Sequence, residues 1–142
     1  MRIVLDTNVI VSAVIWGGTP LRLLQAATAG DIDLYTSPAL LIELREVLGR
    51  EHLASRLAQQ RSSVEQAIGH YGDLAISVSP LSTPRVVPGD ADDDHVIAAA
   101  LAAHANLVVS GDKHLLSMGS YKGIGIGTAV QALATLGVTG GS

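Results

Sequence analysis

Two aspartates of the chain each follow a short apolar run. Asp6 comes directly after residues 3–5 (IVL), and Asp112 comes shortly after residues 107–109 (LVV). If both runs are parallel strands, their carboxyl ends meet at one edge of the sheet and bring the two acids together. Aspartate at such a position also caps helices and turns, and each residue taken singly fits that structural role.

A glutamate lies at the border of a predicted amphipathic helix, residues 37–48. At about 100° per residue, Glu43 borders the apolar face of this helix, whereas Glu46 points away from that face. An acid at this border can lean into a cleft. It can equally be an exposed side chain that pairs with a neighbour on the helix.

A third acidic group, residues 90–94 (DADDD), opens the next long helical segment. Asp93 lies at the centre of the apolar stripe of this helix, with Asp92 and Asp94 just outside the stripe. A carboxylate on the buried side of a helix needs a compensating cation or hydrogen-bond donor. The alternative is a solvated run of charge.

Asp6, Glu43, Asp93 and Asp112 can converge on one crevice, where their charges repel one another. The sequence has no matching cluster of Lys or Arg, and a hard divalent cation is the usual solution. Ligands that are all oxygen favour Mg²⁺ or Mn²⁺ over zinc or copper. Such an ion lowers the pKa of a bound water and neutralises charge on phosphorus, so the pattern indicates phosphodiester hydrolysis.

The elements that must position these acids alternate between strand and helix along the chain, which is typical of an α/β fold with a parallel sheet covered on both faces. Strands are predicted at residues 2–6, 32–35, 74–78, 107–109 and 123–126. Residues 8–16 are ambiguous because several are β-branched. We expect one domain over residues 1–138 and a flexible tail at residues 139–142.

Composition narrows the class of protein. The 142 residues are 48% hydrophobic and 15% charged, which excludes a disordered chain. Aromatic residues are 3% and cysteine is absent, which argues against a base-stacking platform and excludes thiolate chemistry. No apolar run approaches the length of a membrane span, so we expect a cytoplasmic protein without a membrane partner. The net charge of −4 argues against broad, non-specific binding of nucleic acid.

Three segments carry a family resemblance: MRIVLDTNVI at 1–10, YTSPALLIELREV at 35–47 and DADDDHVIAAALAAHANLVVSGDKHLL at 90–116. In this order and spacing they resemble the PIN-domain ribonuclease family. Within it they are similar to the toxin components of toxin–antitoxin pairs related to VapC toxins. The resemblance implies a three-layer α/β/α sandwich with a central parallel sheet of four to five strands. It also implies dependence on Mg²⁺ or Mn²⁺ and endonucleolytic cleavage of RNA.

The resemblance also implies roles for individual residues. Asp6, Glu43 and one acid of the 92–94 group would be the principal metal ligands, with Asp112 completing the site. Asp93 is the preferred third ligand and Asp94 the second choice. Two further residues match family positions that brace the carboxylates, Asn8 and Ser110.

The implied mechanism is in-line attack of a metal-bound hydroxide that leaves a 5′-phosphate and a 3′-hydroxyl. The implied partners are an RNA substrate, a cognate antitoxin protein and a second copy of the chain in a homodimer. Arg45, Arg50 and Lys113 could contact RNA phosphates, or they could belong to an ordinary solvated surface. His95 and His114 flank the acids and are further possible substrate contacts.

Two other functions fit parts of the pattern. One is a catalytically silent PIN-like module that binds RNA or a protein partner; the presence of every expected carboxylate argues against it. The other is a phosphate-accepting receiver domain, which also places acids at strand ends. A receiver needs an isolated acceptor aspartate in mid-chain, whereas here the acids open the chain and cluster near residue 93.

Overall fold

The fold is known from a computed structural model of the chain, which describes residues 1–86 and 91–137. Within these residues the chain forms six strands and eight helices. The strands are β1 (Arg2–Leu5), β2 (Asp33–Thr36), β3 (Ile76–Ser77), β4 (Leu107–Val109), β5 (Ser120–Tyr121) and β6 (Ile124–Gly127). The helices are α1 (Thr7–Ile15), α2 (Gly18–Thr28), α3 (Pro38–Leu48), α4 (Glu51–Gln59), α5 (Val64–Leu74), α6 (Ala91–Ala103), α7 (Lys113–Met118) and α8 (Ala129–Thr135).

The strands form one sheet in the order β3-β2-β1-β4-β6-β5. Every neighbouring pair is parallel except β5 with β6, which is antiparallel. The prediction of a parallel sheet of four to five strands is therefore confirmed by the five parallel strands. The antiparallel edge strand β5, of two residues, was not predicted. From β1 the chain builds outward through β2 and β3, and it then places β4 on the opposite side of β1. Strand order reverses between β1 and β4.

The sheet separates two hydrophobic layers because successive side chains of a strand point to opposite faces. In β1, Ile3 and Leu5 pack into a layer with residues of α1 to α5 and α8. Val4, between them, packs into a second layer with residues of α6 and α7. Helices thus cover both faces of the sheet, which confirms the three-layer α/β/α sandwich.

Tertiary packing decides the secondary structure of the segment after β1, whose propensity was ambiguous. Residues 7–15 form the helix α1 although several are β-branched, because Val9, Ile10 and Ile15 are buried in the first layer. The strand predicted for residues 74–78 was too long. Helix α5 continues through Leu74, and β3 is only the two exposed residues Ile76 and Ser77.

The ends of α3 follow from local chemistry, as the sequence predicts. Ser37 is the N-cap residue, and its Oγ accepts a hydrogen bond from the Leu40 amide at 3.3 Å. Pro38 occupies the first turn, where its missing N–H costs no hydrogen bond. Gly49 follows the last helical residue. These signals fix the register that places Glu43 and Glu46 on the helix.

Some predicted features lie outside the described residues, namely Asp90, the connection at Pro88-Gly89 and the tail at 139–142. Within the described residues no single helix is long and apolar enough to cross a membrane. Taken together, α1 and α2 reach that length and composition, but they are bent by 97° to each other.

Candidate metal centre

The site begins where β1 and β4 end side by side. Leu5 and Val109 are partners in the parallel register, so Asp6 and Ser110 are the next residues on neighbouring strands. The Asp6 amide donates a hydrogen bond to the Val109 carbonyl at 2.9 Å. This is the point of strand-order reversal, where the loops on the two sides diverge and leave a crevice. Asp6 and Ser110 are both buried there.

Ser110 links Asp6 to Asp112. Its Oγ donates a hydrogen bond to Asp6 Oδ2 at 2.7 Å and accepts one from the Asp112 amide at 2.9 Å. Because Ser110 is only 1% exposed, water does not compete for these bonds. The serine therefore fixes the loop that carries Asp112 relative to the end of β1.

Asp112 has the capping role that the sequence left open. Its Oδ1 accepts hydrogen bonds from the amides of His114 at 2.7 Å and Leu115 at 3.3 Å, at the start of α7. Both bonds use the same carboxylate oxygen. Since Oδ2 takes part in neither bond, the side chain can cap the helix and bind a metal at the same time.

Helix α6 presents its three aspartates differently. Asp93 is 4% exposed, as its position on the apolar stripe predicts, and Asp92 is exposed. Asp94 was expected just outside the stripe, yet it is buried too. Its Oδ1 accepts a hydrogen bond from the Val86 amide at 2.7 Å. This donor comes from the segment before α6, so no periodicity within the helix reveals it.

Asp93, Asp112 and His114 each bring one ligand atom to within 4.8 Å of the others. The His114 Nδ1 atom lies 3.6 Å from Asp112 Oδ1. Two carboxylates and an imidazole form a donor set that fits a divalent cation such as Mn²⁺, and the carboxylates alone suit Mg²⁺. From the sequence alone, His114 is expected only as a possible substrate contact. The available signal was its position two residues after Asp112, in the first turn of the helix that Asp112 caps.

Asp6 and Glu43 do not belong to this group of three within the described part of the chain. Asp6 is joined to the group through Ser110, as described above. Glu43 is half-buried on α3. This helix packs against α1, which begins directly after Asp6, and against α6, which carries Asp93. Glu46 is exposed on the same helix. The fold therefore brings Glu43 to helices that flank the site.

The candidate RNA-binding cations lie in different surroundings. Lys113 is exposed and directly follows Asp112. Arg45 forms an exposed ion pair with Glu65 of α5, and at about 100° per residue it lies on the far side of α3 from Glu43. Arg50 is exposed at the start of α4. Of the three cations, Lys113 is the one adjacent in sequence to a candidate metal ligand, Asp112.

Asn8 lies in the first turn of α1 and is exposed. With Ser110 it forms part of the wall of a pocket of about 320 Å³. The Asn8 side chain is thus accessible from this pocket.

A comparison with protein families matches residues 2–114 to the PIN domain. The chain belongs to the PIN-domain family. PIN domains are typically metal-dependent nucleases, so the family supports a hydrolase with a nuclease-type fold and a divalent metal. The match extends from β1 into α7 and includes every acidic residue discussed above. No curated protein matches the chain significantly.

Proposed function

We propose that this PIN domain is an endoribonuclease that hydrolyses RNA phosphodiester bonds with Mg²⁺ or Mn²⁺. The observation that carries the proposal is the group formed by Asp93, Asp112 and His114, whose ligand atoms lie within 4.8 Å of one another. The group lies at the point of strand-order reversal, the usual place for a ligand in an open α/β sheet.

Asp93 and Asp112 hold the cation in this proposal, with Asp6 and Glu43 as further carboxylates of the same centre. Asp93, rather than Asp94, is the metal ligand that the 92–94 group contributes. Asp94 instead holds the Val86 amide and so positions the segment before α6. When bound, the cation supplies an activated water and neutralises negative charge on the phosphate.

The side chains around the carboxylates position them. Ser110 restrains Asp6 through its hydroxyl and the Asp112 loop through its accepted hydrogen bond. Asn8 braces the carboxylates from α1. Because the Ser110 bonds fix Asp6 and the Asp112 loop before substrate binds, little reorganisation of these two is needed during the reaction.

The charge of the chain bears on how it binds RNA. With a net charge of −4, the protein as a whole repels a polyanion. Productive binding therefore depends on local positive charge: the cation held by the acids, and Lys113 beside them. We assign the phosphate contact nearest the site to Lys113. Arg50 makes a more distant contact, and Arg45 contributes least because Glu65 neutralises it.

We further propose that the enzyme is the toxin of a type II toxin–antitoxin pair, acts in the cytoplasm and forms a homodimer. The support is the resemblance of residues 1–10, 35–47 and 90–116 to VapC-related toxins. In this role a cognate antitoxin protein holds the nuclease inactive. The test is induced expression in a bacterial host, which should arrest growth with the wild-type chain and not with Asp93→Asn.

The nuclease proposal is tested with end-labelled single-stranded RNA and Mn²⁺. We expect the wild-type protein to yield fragments with 5′-phosphate and 3′-hydroxyl ends. Asp6→Asn and Asp93→Asn should reduce the cleavage rate by about 100-fold or more, since loss of groups that only support metal ligands already costs 10- to 100-fold. Asp92→Asn is the matched control, because it removes the same charge from the exposed neighbour of Asp93.

Two outcomes would contradict the proposal. Cleavage that persists unchanged in Asp6→Asn and Asp93→Asn would show that another site or a contaminating enzyme acts. RNA binding without cleavage by the wild-type protein at saturating Mn²⁺ would favour the silent interaction module.

A further inference from the structure

A pocket of about 320 Å³ opens where β4 ends, and Ser110 and Gly111, the two residues before Asp112, form part of its wall. It lies between the start of α1, the start of α2, the turn after β4 and the start of α8. Ser110, which donates to Asp6, forms part of its wall, as does Asn8. A molecule in this pocket would therefore lie against the serine that restrains Asp6.

The lining of the pocket indicates what kind of group it takes. None of the described residues that line it is ionisable, so no charged side chain in its wall pairs with a phosphate. The apolar part of the wall comes from Val9, Pro20, Ala129 and Val130. The polar part comes from hydroxyl and amide groups, which include those of Ser12 and Thr19. An uncharged, flat group with polar edges fits this combination.

We propose that the pocket binds an unpaired nucleobase of the RNA strand, next to the phosphate that is cleaved. This inference rests on the proposed function and adds a substrate subsite to it. The volume of about 320 Å³ is at the lower end of the range of about 300–1,000 Å³ for small-molecule pockets. It therefore accommodates one base with part of its ribose, and a base can enter only when it is unpaired.

The pocket recognises a base by its edge. No aromatic side chain is among the described lining residues, so aromatic stacking is not available. The Asn8 amide and the hydroxyls of Ser12 and Thr19 can donate to and accept from the polar edge of a base. Since the four bases differ in the pattern of donors and acceptors on that edge, the pocket gives the enzyme a preference for one base at the cleavage site.

The first test is a titration of the metal-free protein with the four ribonucleosides, followed by amide chemical shifts in ¹H–¹⁵N spectra. Nucleosides carry no phosphate, and the absence of metal removes cleavage, so the result is independent of the nuclease proposal. We expect saturable shifts at Ser12, Gly111 and Ala129 with at least one nucleoside. Absence of saturable shifts at these amides with all four nucleosides would overturn the inference.

The second test fills the pocket with a larger side chain. Val130 is 65% exposed at the rim, so Val130→Trp can be accommodated without repacking the core. Ile76→Trp is the matched control, because Ile76 is an exposed apolar residue on β3, at the opposite edge of the sheet. We expect Val130→Trp to weaken nucleoside binding at least 10-fold and Ile76→Trp to leave it unchanged.

Cleavage-site mapping on a pool of RNA sequences distinguishes a substrate subsite from a site for free nucleosides. We expect the wild-type protein to prefer one base beside the cut, and Val130→Trp to lose that preference while still requiring Mn²⁺. An unchanged preference in Val130→Trp would overturn the subsite even if nucleosides bind. Loss of metal-dependent cleavage in the wild-type protein would instead contradict the proposed function.

Discussion

The Ser110 hydroxyl donates a hydrogen bond of 2.7 Å to Asp6 Oδ2, across residues that are more than a hundred positions apart in sequence. The bond exists because Leu5 and Val109 pair in register at the end of two parallel strands. The same oxygen of Ser110 accepts a hydrogen bond from the Asp112 amide. One small side chain therefore joins the first and last acids of the candidate site.

Replacing Ser110 by alanine should destabilise the fold and weaken metal binding together. The change leaves the buried Asp6 carboxylate without this donor and the Asp112 amide without its acceptor, which costs about 1–3 kcal/mol in free energy of unfolding. Urea denaturation and Mn²⁺ titration measure the two effects. Ser117→Ala is the control, since Ser117 is exposed and its hydroxyl donates to the His114 carbonyl of its own helix. Equal stability of both variants would show that the Ser110 bonds are dispensable.

His114 should influence which metal the centre prefers. Its imidazole adds a nitrogen to the two carboxylates of the group, and nitrogen ligands favour Mn²⁺ and later transition metals over Mg²⁺. His114→Asn should therefore weaken Mn²⁺ binding on the order of 10-fold and change Mg²⁺ binding little. Calorimetric titration with each ion measures this, with the exposed His52→Asn as control. A parallel loss of affinity for both ions would argue against a direct nitrogen ligand.

Glu43 and Glu46 provide a matched pair on one helix. Glu43 is half-buried on α3 and Glu46 is exposed, and the change to glutamine removes one charge in each case with little change of shape. We expect Glu43→Gln to lower the rate of RNA cleavage at least 10-fold and Glu46→Gln to leave it within a factor of two. The measurement is the initial rate at fixed Mn²⁺. Equal rates in the two variants would remove Glu43 from the site.

Tyr71 should make the fold sensitive to alkaline pH. Burial raises the pKa of its phenol above the ordinary value of 10.0, and its hydroxyl has no hydrogen-bond partner among the described residues. The unfolded chain therefore ionises at this tyrosine before the folded chain does. The contribution of Tyr71 to the free energy of unfolding is therefore fully present below pH 10. It is lost as the pH rises further, by up to about 1.4 kcal/mol per pH unit.

Urea denaturation at a series of pH values from 8 upward measures this loss. Tyr71→Phe should flatten the decline above pH 10, because phenylalanine has no proton to lose. Tyr121→Phe keeps Tyr71 and should retain the decline of the wild-type protein. A decline that is identical in all three proteins would show that Tyr71 does not cause it.

Much of the site was predictable because it depends on patterns that are local in sequence. Asp6 and Asp112 each follow a buried strand, and parallel strands place such residues at one edge. Helical periodicity separated Asp93 from Asp92 and Glu43 from Glu46, since the exposed or buried side of a regular helix follows from the spacing of its apolar residues. These distinctions agree with the burial in the structure.

Other features depend on contacts that no local pattern encodes. Asp94 is buried because the Val86 amide, on a different segment, donates to it. Helix α7 has six residues and β5 has two, too few to produce a periodic signal, so neither was predicted. The place of His114 beside the carboxylates follows from α7, and it was missed for the same reason.

Direct binding of Mn²⁺ tests, without reference to catalysis, whether Asp93 belongs to a cation-binding centre. The measurement is a titration in which the electron paramagnetic resonance signal reports free Mn²⁺. We predict saturable binding by the wild-type protein, the same affinity in Asp92→Asn, and an affinity lowered about 100-fold in Asp93→Asn. Equal Mn²⁺ affinity in all three proteins, or no saturable binding by the wild-type protein, would show that Asp93 does not belong to such a centre.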